Sequence, residues 1–304
     1  MNEASGRVLA RIGSSFRVET DRGEVTAVLR GKARRDQYDR VVVGDRVTLD
    51  QGDRRGVLGI SGVLPRRNLL ERRTPSGRAN RPVAANLDCV FVVTAAANPA
   101  PVPQLIDRLL AIAEANDLPT ALVINKIDLD ADAGEELAHR YDSAGYPVFR
   151  MSVKGGQGVE PFFASLRGKE SLLAGASGVG KSSLLNRLQP GLALRTREIS
   201  RKIGRGKQTT VAAVMVPLDA GGWLVDTPGF SEVGLWGIEP RELARCFPEM
   251  RGPLERCKFA DCSHRGEPGC AVREAVEAGA IHPERYGSYD VLLEELLSAP
   301  KEWE

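Results

Sequence analysis

Two periodicities divide the chain. Over residues 7–12, 15–19, 24–29 and 46–49, apolar residues alternate with other types, the two-residue period of half-buried strands. Gly13, Gly23, Gly44 and Gly52 punctuate these runs. Roughly five short strands in residues 1–75 predict a small barrel, with the oligonucleotide-binding (OB) architecture as the natural candidate. From about residue 83 the pattern changes. Residues 88–93, 121–124 and 171–174 are nearly continuous apolar runs, as in strands buried on both faces. Pro103 opens a stretch with Leu105, Ile106, Leu109, Leu110 and Ile112 at helical spacing, and a further strand is predicted over residues 147–151. Such alternation predicts a parallel sheet covered by helices. Residues 211–217 and 223–225 flank Asp219 to Gly222, a predicted hairpin. Beyond about residue 238 the chain reads as helical and polar. It ends in a helix near residues 289–298, whose Val291, Leu292, Leu293, Leu296 and Leu297 form an apolar stripe. The expected fold is multidomain: an all-β OB-type barrel at 1–82, an α/β P-loop domain at 83–238, and a mostly helical domain at 239–304.

Charge sharpens this division. Residues 1–82 carry 18 Lys/Arg against 10 Asp/Glu, and residues 83–304 carry 24 against 30. A basic module on an acidic body suggests an anionic partner, with nucleic acid favoured. No apolar run reaches the roughly 18 residues of a membrane helix. The first residues lack the apolar core of a signal peptide, so a cytoplasmic protein with no membrane partner is expected.

The candidate chemistry lies at the ends of the predicted strands. Gly175, Ala176, Ser177, Gly178, Val179, Gly180, Lys181 and Ser182, followed by Ser183, sit between a buried strand and a helix, where a phosphate-cradling loop belongs. Its backbone N–H groups would face phosphate, Lys181 would reach the β- and γ-phosphates, and Ser182 would ligate Mg²⁺. Asp226, Thr227, Pro228 and Gly229 follow the predicted strand at 223–225. The Asp226 carboxylate would hold magnesium through water, and the Gly229 N–H would contact the γ-phosphate. Asn125, Lys126, Ile127 and Asp128 end another strand. The Asp128 carboxylate matches the paired N1 and N2 donors of guanine, and adenine would leave it unpaired at a cost of about 1–3 kcal/mol. Asn125 would tie neighbouring loops together, and Lys126 would pack over the base. Ser152, Val153 and Lys154 close the next strand and fit the companion loop to guanine O6. The order of these motifs is inverted relative to an ordinary GTPase, as in a circularly permuted chain.

Between the phosphate loop and Asp226 lie six basic residues from Arg195 to Lys207, then Gln208, Thr209 and Thr210, where a first switch belongs. Either threonine could supply the second magnesium hydroxyl. Phe230 stands where many switch GTPases carry a water-orienting Gln, so that group must come from elsewhere or intrinsic turnover is slow. Cys257, Cys262, His264 and Cys270 place three thiolates and an imidazole within fourteen positions, a complete tetrahedral set for one structural zinc. Cys89 reads as a core residue, and Cys246 is unassigned.

Together the N-terminal barrel, the permuted motifs and the Cys-x₄-Cys-x-His-x₅-Cys spacing resemble the bacterial ribosome small-subunit-dependent GTPase A family over nearly the whole chain. That resemblance implies a GTPase stimulated by the small (30S) ribosomal subunit. It would act in late subunit maturation on 16S rRNA and leave after hydrolysis. A monomer with one zinc, and Mg²⁺ bound with GTP, is expected. The family carries His before its Thr-Thr pair where this chain has Gln208. Gln can orient water but cannot act as a general base. A pure RNA-binding assembly scaffold, with GTP only structural, is the alternative; retained Lys181, Ser182 and Asp226 argue against it. The permuted order also sets Asp226 a few residues before the C-terminal module, so γ-phosphate release is expected to move that module directly.

Overall fold

The computed structural model describes residues 4–30, 41–50, 57–73, 80–193, 213–227, 235 and 238–298. The alternating N-terminal runs become β1 (Ala4–Ile12), β2 (Ser15–Thr20), β3 (Gly23–Leu29), β4 (Arg46–Asp50) and β5 (Leu58–Val63). β1, β2 and β3 pair antiparallel, β3 pairs parallel with β5, β5 pairs with β4, and β4 closes on β1. The result is a five-stranded barrel. Its core follows the period of two: Val8, Phe16, Val18, Ala27, Val47 and Ile60 are fully buried. Gly6 is required where β1 crosses β2, because a Cβ there would lie 2.4 Å from Val18 Cγ1.

A hairpin that the hydrophobic pattern did not signal follows, β6 (Leu69–Arg73) and β7 (Asn80–Ala85). Its Leu70 and Ala84 pack with Leu87 and Leu109 in the core of the central body, not in the barrel core.

The central sheet runs β10 (Val148–Arg150), β9 (Thr120–Asn125), β8 (Cys89–Ala95), β11 (Glu170–Ala174), β13 (Trp223–Asp226), β12 (Val214–Pro217). All neighbours are parallel except β12, which forms the expected hairpin with β13. Side-chain alternation fills both faces. Val90, Val92, Leu122, Ile124 and Leu172 face one core, under α1 (Pro103–Glu114) and α2 (Ala131–Ser143). Phe91, Val93, Ala121, Val123 and Leu173 face the other, under α3 (Val159–Leu166) and α4 (Lys181–Leu188). The barrel is joined to this sheet where Ala10 of β1 pairs with Val214 of β12.

The C-terminal segment folds as a 3₁₀ helix (Pro240–Cys246), α5 (Pro248–Leu254), α6 (Ala271–Glu277) and α7 (Pro283–Ser298). The apolar stripe expected on α7 needs correction. Leu292 and Leu293 are buried and Leu296 is partly so, but Val291 and Leu297 are each 51% exposed. At about 100° per residue those two fall outside the arc of 289, 292, 293 and 296. Arg285, Ser288 and Tyr289 complete the buried face instead. No helix among the described residues is long and apolar enough to cross a membrane.

Candidate nucleotide site and metal centre

The five parallel strands deliver their C-terminal ends to one edge of the sheet, the usual place for ligands in open α/β folds. Asn125, Ser152, Gly175 and Asp226 therefore collect there although the chain separates them widely. Asn125 is 2% exposed and fastens three loops. Its Nδ2 donates to Val179 O at 2.9 Å, and its Oδ1 accepts from Val153 N at 3.0 Å. Lys126, at φ +61°, turns its ammonium to Gly178 O at 2.8 Å and to Asn98 O. Asp128 stands exposed in this loop.

The phosphate loop is shaped by close approach. Gly175 has φ +146°, and a Cβ there would sit 2.1 Å from Val93 O. Gly180 has φ +102°, and a Cβ there would sit 2.3 Å from Asn125 Nδ2. Ala176, Ser177 and Val179 lie between these hinges, and α4 begins at Lys181 with Ser182 half-buried and Ser183 exposed. Lys181 Nζ donates to Gly175 O at 2.6 Å and Ala176 O at 2.7 Å, so the ammonium is held inside the loop by carbonyls. Burial pulls its pKa below the usual lysine value, and Asp226 opposes that shift. Ser182 and Asp226 offer hard oxygen donors of the type that Mg²⁺ takes beside phosphate oxygens. Ile127, beside Asp128, donates its N–H to Met151 O at 3.3 Å, linking the base loop to the strand before Ser152. Lys154 is exposed beside the fully buried Ser152. Gln208, Thr209, Thr210 and Gly229 lie outside the described residues, as does Phe230.

Three contributors were not anticipated from the sequence. Asn98 O holds the Lys126 ammonium; the Asn98-Pro99 dipeptide was a turn signal just beyond a buried strand. Gln157 O accepts from Ser152 N at 2.9 Å, and the Ser152 hydroxyl accepts from Gly155 N at 2.9 Å, bending the companion loop. Gly158 has φ +68°, where a Cβ would strike Arg150 O at 2.1 Å. The run of glycines after Lys154 could have disclosed that turn.

In the C-terminal module, one ligand atom each from Cys257, Cys262, His264 and Cys270 lies within 4.8 Å of all the others. The Cys257 and Cys270 sulfurs are 3.6 and 3.5 Å from His264 Nδ1. A tetrahedral site with metal–sulfur bonds of about 2.3 Å needs ligand separations of about 3.5–3.8 Å, so the set fits a structural metal. Burial and the neighbouring thiols push the Cys262 thiol up to about 12; a divalent cation reverses that preference by taking the thiolate. Tyr286 OH donates to His264 O at 2.7 Å and Tyr289 OH to Ser263 O at 2.9 Å, tying the ligand loop to α7.

Comparison with known proteins agrees with this geometry. A family model described as RsgA GTPase matches residues 63–236. A small ribosomal subunit biogenesis GTPase RsgA from Gemmatimonas aurantiaca is 47% identical over 299 residues, covering 96% of this chain and 97% of that protein. A protein of the same name from Moorella thermoacetica is 42% identical over 294 residues, with 96% and 97% covered. Among solved structures, YjeQ from Thermotoga maritima superposes with a TM-score of 0.79 at 37% identity, covering 98% of this chain and all of that one. YloQ, described as a circularly permuted GTPase, gives 0.77 at 27% identity, covering 99% and 97%.

Proposed function

The chain belongs to the RsgA GTPase family and is a GTP-hydrolysing enzyme, and from that premise we propose that it works as a timer in late maturation of the 30S ribosomal subunit. The observation that carries this reading is the Asn125 clamp, which makes the base loop, the companion loop and the phosphate loop one site. In this reading Asn125 to Asp128 and Ser152 to Lys154 hold guanine, while Gly175 to Ser183 hold the phosphates. On binding, Lys181 exchanges the carbonyls of Gly175 and Ala176 for phosphate oxygens, retaining its charge partner. Ser182, and Asp226 through water, would hold Mg²⁺, which would supply neutralisation of the charge developing on the phosphates. Thr209 or Thr210 adds a hydroxyl, Gly229 senses the γ-phosphate, and Gln208 orients water without acting as a base.

The metal of the Cys₃His set is zinc, with a purely structural role. Residues 1–82 form the rRNA-binding module, 83–238 the GTPase module and 239–304 the zinc module. The protein acts as a cytoplasmic monomer on 16S rRNA and leaves once GTP is hydrolysed. Steady-state hydrolysis with and without purified small subunits, with ATP as control, tests the proposal. Stimulation of tenfold or more confined to GTP is expected, on the order of one to two kcal/mol or more of barrier lowering. A rate indifferent to the subunit would remove the timer.

A further inference from the structure

The barrel grips the central sheet at the starts of the two strands whose far ends carry the phosphate loop and Asp226. Glu170 opens β11, Trp223 opens β13, and the two are partners in the parallel ladder. The Glu170 side chain is 5% exposed, and its Oε1 accepts from Arg7 of β1 and from Arg46 of β4, each at 2.8 Å. The Arg7 guanidinium also lies 4.7 Å from the centroid of the Trp223 ring. One carboxylate thus receives both arginines from two barrel strands that are themselves paired through Arg7 and Arg46.

Two more contacts stiffen the seam. Glu170 N donates to Asp88 Oδ2 at 2.8 Å and Asp88 N donates to Glu170 O at 2.7 Å, fixing the start of β11 against the start of β8. On the other side Ala10 of the barrel pairs with Val214, and Val214 pairs in turn with Asp226. A single row of backbone partners therefore runs from the barrel to the carboxylate at the nucleotide edge. Glu170 and Gly175 bound a strand only five residues long, about 16 Å of extended chain flanked by ladders on both sides. Such a segment moves as a unit, so a change of barrel pose at its start reaches the loop at its end.

We propose that Glu170 is a positioning residue for GTP hydrolysis. Through Arg7 and Arg46 it fixes the barrel against β11 and β13, so that docking of the barrel on RNA sets the placement of the phosphate loop and Asp226. Glu170 touches neither nucleotide nor RNA; it acts through its strand. This inference rests on the reading that the small subunit stimulates hydrolysis.

The test is Glu170→Gln, which keeps the shape, removes the charge, and is too buried to alter an RNA contact directly. Trp223→Leu removes the ring under Arg7 and serves as an independent variant if the first does not fold. Hydrolysis is titrated with small subunits to separate maximal rate from half-saturating concentration, and the basal rate and Tm are measured alongside. Expected is a fall in maximal stimulation of about fivefold or more, with basal rate and half-saturating concentration each within about twofold of wild type. Full stimulation in the folded variants would overturn the proposal. So would a proportional loss of basal and stimulated rates, which marks local damage to β11. Wild-type protein that the subunit does not stimulate would refute the underlying reading and the proposal with it. That outcome is visible before any variant is made.

Discussion

A methyl group on residue 180 would arrive 2.3 Å from Asn125 Nδ2, at a backbone φ of +102° that side chains rarely adopt. Gly180→Ala therefore strains the phosphate loop and pushes away the amide that fastens the base loop to Val179. The cost in folding stability is about 1–3 kcal/mol, as for a residue forced into a sparsely populated region. Because Asn125 also holds Val153 N, both guanine-facing loops shift. Affinity for GTP and GDP should fall together, by about tenfold or more. Titration with a fluorescent guanine nucleotide, read beside thermal unfolding, checks this; unchanged affinity would mean that the clamp gives way without consequence. Gly178 offers a contrast at φ +81°, since a Cβ there meets only Pro99 Cδ at 3.6 Å. The glycine spacing was legible in the sequence because phosphate cradling demands it. Which glycine leans on Asn125 was not, because the Asn125 bond to Val179, the residue before that glycine, joins loops 54 positions apart.

Among the elements, α6 depends most on something outside its own sequence. It has seven residues, too few for a helix to persist alone in water. Its N-terminal flanking residue is Cys270, a member of the ligand set, and Phe259, the phenylalanine within the ligand loop, is 41% exposed. The loop from Cys257 to Cys270 thus has little core of its own, and a metal held by the four ligands would supply the cross-link. Chelation at neutral pH should strip hydrogen-exchange protection from residues 255–282 while β8, β9 and β11 keep theirs. Retained protection after verified metal loss would show that Tyr286 and Tyr289 suffice to hold the loop. The ligand spacing was readable because three cysteines and a histidine so close together have few other uses. The two tyrosines were not, since nothing local marks their hydroxyls as partners of Ser263 O and His264 O. The same blindness misjudged α7: a stripe counted from apolar residues alone took in Val291 and Leu297, and passed over Arg285 and Ser288 on the face that is actually buried.

At the scale of the molecule, Arg285 decides how the C-terminal module is carried. It is 1% exposed, donates to Asp107 of α1 at 2.5 Å and to Glu249 of α5 at 2.7 Å, and lies 4.6 Å from the Phe247 ring centroid. Tyr141 of α2 donates to the same Asp107 oxygen at 2.8 Å. Opposite charges surround this guanidinium closely enough to keep its pKa well above the arginine value despite burial. Two of the helices brought together here, α1 and α2, cover the face of the sheet that includes β9, whose end carries the base loop. Chain order alone had suggested that γ-phosphate release moves the C-terminal module directly, because Asp226 precedes it. Among the described residues the ion pairs of Arg285 tie α7 to α1, so the module is expected to travel with the base side, with Asn125 and Asp128. Arg285→Met tests this. It leaves Asp107 and Glu249 buried without their cation, a loss of about 3–5 kcal/mol. Hydrogen exchange in the GDP-bound protein should then show α5 and α7 opening while the base loop stays protected by its nucleotide. Restoring neutrality with Asp107→Leu and Glu249→Gln in the same chain should recover part of the stability, since a buried ion network replaced by well-packed groups often costs little. If α7 remains as protected in the single variant as in wild type, the Arg285 network is not what binds the module to the base side, and the phosphate side again becomes its natural lever.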